Sequence, residues 1–170
     1  LAENSGKYPI VYLGAEVLYF IGISHIESIR ELCIEGTNFL LLEMPFAKWT
    51  TSETEEVRSM AQNAGVFPIL AHIERYIRCG NMKAIKSLSR SGVIMQSNAE
   101  FFLQPSTRKK ALKLFSEGTI NLLGSDCHNL DTRAQNLGKA LAFICKSVPE
   151  QRIKEAEALS SEVLEKAEII

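Results

Sequence analysis

Apolar residues follow two alternating rhythms along this chain. Five short runs, Ile10 to Val17, Asn38 to Glu43, Val66 to His72, Val93 to Asn98 and Thr119 to Asp126, are continuous enough to be buried strands. Between them, apolar positions recur every three or four residues, the spacing of helices with one buried face. Ile26, Ile29, Leu32 and Cys33 keep that period before Gly36 ends it, and Thr50, Thr51, Ser52 and Glu53 read as a capped helix start. Asn81 is placed to cap a helix over Met82 to Arg90 with Gly92 as its stop. Ser106 is placed to cap another that passes through Leu114 and Phe115 and ends at Gly118. The tail from Gln135 to Ile170 reads as two or three helices broken near Pro149 and Ser160. Strands alternating with helices in this order predict an α/β fold with parallel strands.

Composition narrows the class. With 170 residues, 46% hydrophobic, 23% charged and a formal net charge of -1, the chain reads as one globular domain over residues 1–170. A chain of this size buries about 70% of its unfolded surface, enough for a core without staples. The near-neutral charge leaves no electrostatic footprint for nucleic acid, although phosphate can still bind locally at particular arginines. No apolar stretch approaches the roughly 20 residues of a membrane span, so no membrane insertion is expected. Cys33, Cys79, Cys127 and Cys145 lie far apart with no CxxC pair, which predicts reduced thiols in a cytoplasmic protein. The sequence begins at Leu1 without Met and runs almost at once into a strand, as a piece of a longer protein would.

The candidate chemistry lies where the apolar runs stop. After Leu122 and Leu123 come Gly124, Ser125, Asp126, Cys127, His128 and Asn129. In an extended chain residues i and i+2 project to one side, so Asp126 and His128 can reach a single cation while Cys127 points away. A polar turn after a strand uses the same residue types. Glu16 closes the first run, Glu43 the second, His72 the third, and Ser97 with Asn98 the fourth. Carboxyl ends of parallel strands are where α/β proteins collect function. A lone carboxylate ending the apolar Phe39 to Leu42 run would be costly to bury, and a cation is a natural partner. Arg75 follows His72 by three residues and Arg133 follows His128 by five. Imidazole ligands backed by guanidinium forks suit a phosphate ester, with metal on one side of the phosphoryl group and arginine on the others. The same arginines can instead pair with the neighbouring acids Glu74 and Asp131.

The segments Leu70-Ala71-His72-Ile73-Glu74-Arg75-Tyr76, Leu41-Leu42-Glu43-Met44-Pro45 and Gly124-Ser125-Asp126-Cys127-His128-Asn129, with Gly14-Ala15-Glu16-Val17, resemble the PHP (polymerase and histidinol phosphatase) superfamily. Within it they look most like the manganese-dependent bacterial protein-tyrosine phosphatases of capsule and exopolysaccharide operons. The resemblance runs over nearly the whole chain, in the right order. It implies a distorted TIM-like β/α barrel with two or three divalent metals at the strand ends, manganese first, with iron or zinc also suited to such ligands. Carried across by motif, Glu16, Glu43, His72, Asp126 and His128 would be metal ligands, one of the two glutamates bridging. Arg75 and Arg133 match the family's phosphate-binding arginines. The implied mechanism is attack by a metal-activated hydroxide on phosphotyrosine, with no cysteine nucleophile. The implied partner is a phosphotyrosine protein such as a bacterial tyrosine kinase of polysaccharide export. A small phosphorylated metabolite, as for histidinol phosphatases, is the alternative substrate.

One part of the family pattern is missing. Members begin with an HxH strand and carry a further histidine after it, whereas this sequence holds only His25, His72 and His128. The expectation is therefore a barrel lacking its first strand–helix units and part of its metal ligands, and a catalytically silent domain that binds metal or a partner stands as a third reading. An open barrel also exposes strand edges and apolar side chains, which predicts self-association.

Overall fold

In the computed structural model, which describes residues 10–165, each of the five apolar runs contributes a strand. These are β1 (Glu16–Leu18), β2 (Phe39–Glu43), β3 (Phe67–Leu70), β4 (Ile94–Asn98) and β5 (Leu122–Gly124). Each pairs in parallel with the next, so spatial order equals chain order. A doubly wound sheet reverses its order at a switch point, whereas crossovers that always step the same way are the winding of a β/α barrel. Among the described residues β1 and β5 are the two edges, so the barrel winding is present without closure.

The first and last strands differ from the sequence reading. Upstream of Glu16 the chain does not reach β2; it pairs instead with the turn before it, Ala15 N donating to Leu32 O (3.2 Å) and Glu35 N to Leu13 O (2.6 Å). Glu16 therefore opens β1 rather than closing it. The fifth strand stops at Gly124, two residues before Asp126.

Among the described residues seven α-helices follow the second to fifth strands: α1 (Thr51–Asn63), α2 (Ile73–Arg78), α3 (Met82–Arg90), α4 (Glu100–Leu103), α5 (Pro105–Ser116), α6 (Leu137–Ile144) and α7 (Glu150–Glu165). α1 begins as expected, with a capping box in which Glu53 N donates to Thr50 Oγ1 (3.2 Å) and Thr50 N to Glu53 Oε2 (2.6 Å). Thr50→Ala is expected to cost about 1 kcal/mol, read as a lower urea midpoint at unchanged slope. The stretch around Ile26 to Cys33 forms two 3₁₀ turns, Ile23–His25 and Glu27–Leu32, because Ile26 between them is extended. Asn81 precedes α3, yet its amide is used elsewhere, accepting from Trp49 N (2.9 Å) and donating to Ala47 O (2.8 Å). Ser106 lies inside α5, which starts at Pro105, a residue suited to the first turn because it has no N–H to satisfy. The tail breaks before Glu150, near Pro149, but Ser160 sits within α7.

Strand alternation divides the sheet into two faces. Leu40, Leu42, Leu70 and Met95 pack against Val57, Met60, Ile85, Leu88, Phe102 and Phe115 of the helices in the main core. Phe39, Ile69 and Ile94 point to the other face, where Leu159 and Val163 of α7 cover them. Arg152, in the first turn of α7, fastens that helix: its Nε donates to Phe115 O (2.8 Å), its Nη2 to Ile120 O (2.6 Å), and its guanidinium lies 4.8 Å over the Phe115 ring. On the α7 face the strands are apolar towards their start and polar towards their end, as in Phe39, Leu41, Glu43 and Ile94, Gln96, Asn98. That gradient leaves polar side chains at the carboxyl edge alone.

Candidate metal and phosphate site

β1 and β2 are in register with Glu16 opposite Leu41, so Glu16 shares the face of Leu41 and Glu43. Simple alternation after Leu70 would send His72 towards the helices. Instead His72 has φ +36°, a left-handed backbone, and its imidazole turns back to the face of the two glutamates. Nε2 lies 2.7 Å from Glu16 Oε1 and 3.6 Å from Glu43 Oε1. The ligand atoms of Glu16, Glu43 and His72 all lie within 4.8 Å of one another, a spacing that one cation can span.

A second layer holds the imidazole. Tyr76, one helical turn on, places its hydroxyl 3.3 Å from His72 Nδ1, and the same oxygen accepts from Met44 N (2.8 Å). Burial pushes the Tyr76 phenol up, so it stays a neutral hydroxyl. Nε2 is within hydrogen-bond distance of Glu16 and Nδ1 within reach of the Tyr76 hydroxyl, so with a cation bound the tautomer that donates Nδ1–H to Tyr76 Oη would present the Nε2 lone pair to the metal, the arrangement usual for a ligating histidine. His72 N donates to Gln96 Oε1 (2.5 Å), and Gln96 Nε2 donates to Asn98 Oδ1 (3.1 Å). Gly124 makes room for this amide: a Cβ there would collide with Gln96 Nε2.

Asn98 extends the network to the loop after β5, its Nδ2 donating to Asp126 Oδ2 (2.9 Å). Asp126 Oδ2 also accepts from Arg75 Nη2 (2.7 Å) and from Arg133 Nη2. Arg75 spans the site, with Nη1 3.5 Å from Glu43 Oε1. Both arginines thus converge on one carboxylate oxygen beside the Glu16, Glu43 and His72 cluster.

Of the seven residues singled out from the sequence, Glu16, Glu43 and His72 come together in a group that could hold a metal ion, and Arg75, Arg133 and Asp126 adjoin it. Asp126 has φ +53° and the strand has already ended, so the extended-chain premise fails there, although His128 Nδ1 still comes within 3.6 Å of Asp126 Oδ1. His128 Nδ1 turns back to the Asp126 carbonyl oxygen (3.0 Å), and its ring is half exposed. Glu74 and Asp131, the alternative partners for the arginines, are not used in that way: Arg75 pairs with Glu43 and Asp126, and Arg133 with Asp126. Glu74 instead accepts from Ser97 Oγ (3.0 Å) and Asn98 N (3.3 Å), and burial pushes its carboxyl up against those bonds. Gln96 and Tyr76 support the site without standing out in the sequence pattern. Gln96 left a trace, being a polar residue on the same strand face as Asn98; Tyr76 left none beyond its place in the histidine motif. All four cysteines are free thiols, as expected from their spacing.

Three comparisons with known proteins bear on this site. The family model described as capsular polysaccharide synthesis, CpsB/CapC, matches residues 2–162. The tyrosine-protein phosphatase CpsB of Streptococcus agalactiae is 26% identical over 162 residues, covering 89% of this chain and 66% of its own length. The protein of the same name from Streptococcus pneumoniae is 24% identical over 168 residues, with 91% and 68% covered. This chain thus spans just under two-thirds of the S. agalactiae relative. A chain from the crystal structures of YwqE from Bacillus subtilis and CpsB from S. pneumoniae, described as metal-dependent tyrosine phosphatases, superposes with a TM-score of 0.77 at 22% identity. That match covers 90% of this chain and 64% of the solved one, and establishes a shared fold.

Proposed function

Because the chain belongs to the CpsB/CapC capsular polysaccharide synthesis family, we propose that it is a metal-dependent phosphatase domain that hydrolyses phosphotyrosine in a protein of a capsule system. The observation that carries this reading is the convergence of Glu16, Glu43 and His72 beside two arginines that share one carboxylate. The donor set fits a divalent cation: two carboxylates and one buried imidazole, with hard oxygen and borderline nitrogen ligands, suit manganese, iron or zinc. Of these we propose manganese. Asp126 and His128 extend the donor set from the β5 side.

When bound, the cation supplies Lewis-acid polarisation of a phosphoryl oxygen and makes water a better nucleophile. The protein's own part is to hold the phosphoryl group. Arg75 and Arg133 meet on Asp126 Oδ2 beside the cluster, so with Asp126 drawn to the cation both forks would turn to the oxygens of a phosphoryl group held next to it. In the hydrolysis a bond forms from water oxygen to phosphorus and the bond from phosphorus to the phenolic oxygen breaks. The tyrosine leaves with a proton and the arginines retain inorganic phosphate. No thiol takes part. The relatives' name, tyrosine-protein phosphatase, favours a phosphotyrosine protein over a small metabolite, and a tyrosine kinase of polysaccharide export is the partner we assign. We place this action in the cytoplasm, where the four cysteines stay reduced. None of the described helices is long and apolar enough to cross a membrane.

The test is hydrolysis of p-nitrophenyl phosphate by the purified chain, with and without manganese, with metal content measured on the same sample. Manganese-dependent turnover is expected. Bound manganese without turnover would reduce the chain to a silent metal-binding domain, and neither would remove the reading. A companion variant probes the support around His72. Tyr76→Phe is expected to weaken manganese binding about 10–100-fold and to lower stability by about 1–2 kcal/mol, since it leaves the buried Met44 N–H without a partner. Manganese titration and urea unfolding of the same variant measure both effects.

A further inference from the structure

Phe46 is 60% exposed, three residues beyond Glu43 at the mouth of the site. A large apolar side chain left in water contributes little to folding, and Phe46 joins neither core cluster. It is nevertheless held firmly. On one side Met44 N donates to Tyr76 Oη and Trp49 Nε1 donates to Pro45 O (3.1 Å); on the other, Asn81 Nδ2 donates to Ala47 O. Its ring sits 5.7 Å from the Tyr76 ring, tilted by 53°, and 5.9 Å from the Arg75 guanidinium carbon. The result is an aromatic face, braced on both flanks, open to solvent, and next to the fork that would hold phosphate.

We propose that Phe46 selects aryl over alkyl phosphate esters, its ring receiving the leaving-group ring while Arg75 holds the phosphoryl group. The inference rests on the phosphatase reading above and adds a residue that sets its substrate class. Arg75 turns its terminal nitrogens to Glu43 and Asp126 and has the Phe46 ring 5.9 Å from its guanidinium carbon, so an ester held at Arg75 would have that aromatic face beside it. Tilted and offset ring pairs with centroids about 4.5–7 Å apart are favourable, and the gain corresponds to about two- to tenfold in affinity. An alkyl ester offers no ring and gains little. As a large, weakly flexible side chain on a pinned loop, Phe46 loses little freedom on binding.

Calorimetric titration of the manganese-loaded chain with benzylphosphonate and ethylphosphonate, the non-hydrolysable counterparts of phenyl and methyl phosphate, and with inorganic phosphate tests this directly. The unsubstituted chain is expected to bind benzylphosphonate about two- to tenfold more tightly than ethylphosphonate. Phe46→Ala should bring that ratio close to one and Phe46→Trp should restore it, with inorganic phosphate bound alike by all three. A ratio that survives in Phe46→Ala, or no preference in the unsubstituted chain, would overturn the proposal while leaving the phosphate site intact. So would a parallel loss of inorganic phosphate in Phe46→Ala, since the ring would then act by positioning Arg75. If none of the three ligands binds, the phosphatase reading falls too, and the two failures are thereby told apart.

Discussion

Replacing His72 with alanine is expected to strip manganese from the chain and abolish manganese-dependent hydrolysis. The imidazole is the only nitrogen ligand in the cluster, and Glu16 and Glu43 both converge on it. Without it the cluster keeps two carboxylates and no nitrogen donor. Loss of a direct ligand should exceed the roughly 100-fold upper range seen when a supporting residue is removed. Metal content after gel filtration and a manganese titration measure the effect, and a circular-dichroism spectrum checks that the fold persists. Unchanged metal content in His72→Ala would remove Glu16, Glu43 and His72 as the site.

The second large effect is structural. Arg152→Met should lower stability by about 2–4 kcal/mol, seen as a fall in the urea midpoint. Methionine keeps much of the apolar stem that packs over Phe115 but cannot donate to Phe115 O or Ile120 O. Hydrogen bonds from a charged donor are worth about 1.5–3 kcal/mol each, and the two are not strictly additive because one guanidinium makes both. Arg152→Lys should recover only part, since an ammonium cannot serve two carbonyls as a planar fork does. A loss below about 0.5 kcal/mol in Arg152→Met would mean that α7 is held by Leu159 and Val163 instead.

These two residues mark what could and could not be read from the chain. The five strands and their parallel order followed from continuous apolar runs between helical periods, a pattern imposed by burial on both faces. The start of α1 was equally legible because a capping box is local chemistry. Strand ends were not. Where Leu13 and Ala15 find backbone partners depends on the Leu32–Glu35 turn, a pairing that no periodicity announces. Ser106 has the side chain of a cap, but Pro105, with fixed φ and no N–H to satisfy, takes the first helical position and puts Ser106 inside the helix. In the site, motif spacing brought forward each charged residue, but geometry depends on backbone conformation at single positions. The i, i+2 argument for Asp126 and His128 assumed extended chain where the structure has a left-handed turn. Gln96, Asn98 and Tyr76 act through hydrogen bonds to residues far away in sequence, and such partnerships appear only once the strands are side by side.

His72 and Asp126 are the only non-glycine positions at positive φ among the described residues, and both lie in the site. Each such residue costs on the order of 1 kcal/mol or more, with aspartate the more tolerant of the two. Glycine would adopt either conformation freely. Selection of variants for heat resistance alone would therefore favour exchanging these very positions, and a library ranked by melting temperature would drift towards a sturdier chain with no chemistry left. Any effort to harden this protein has to hold both positions fixed and seek its gains at the helix ends and the α7 face.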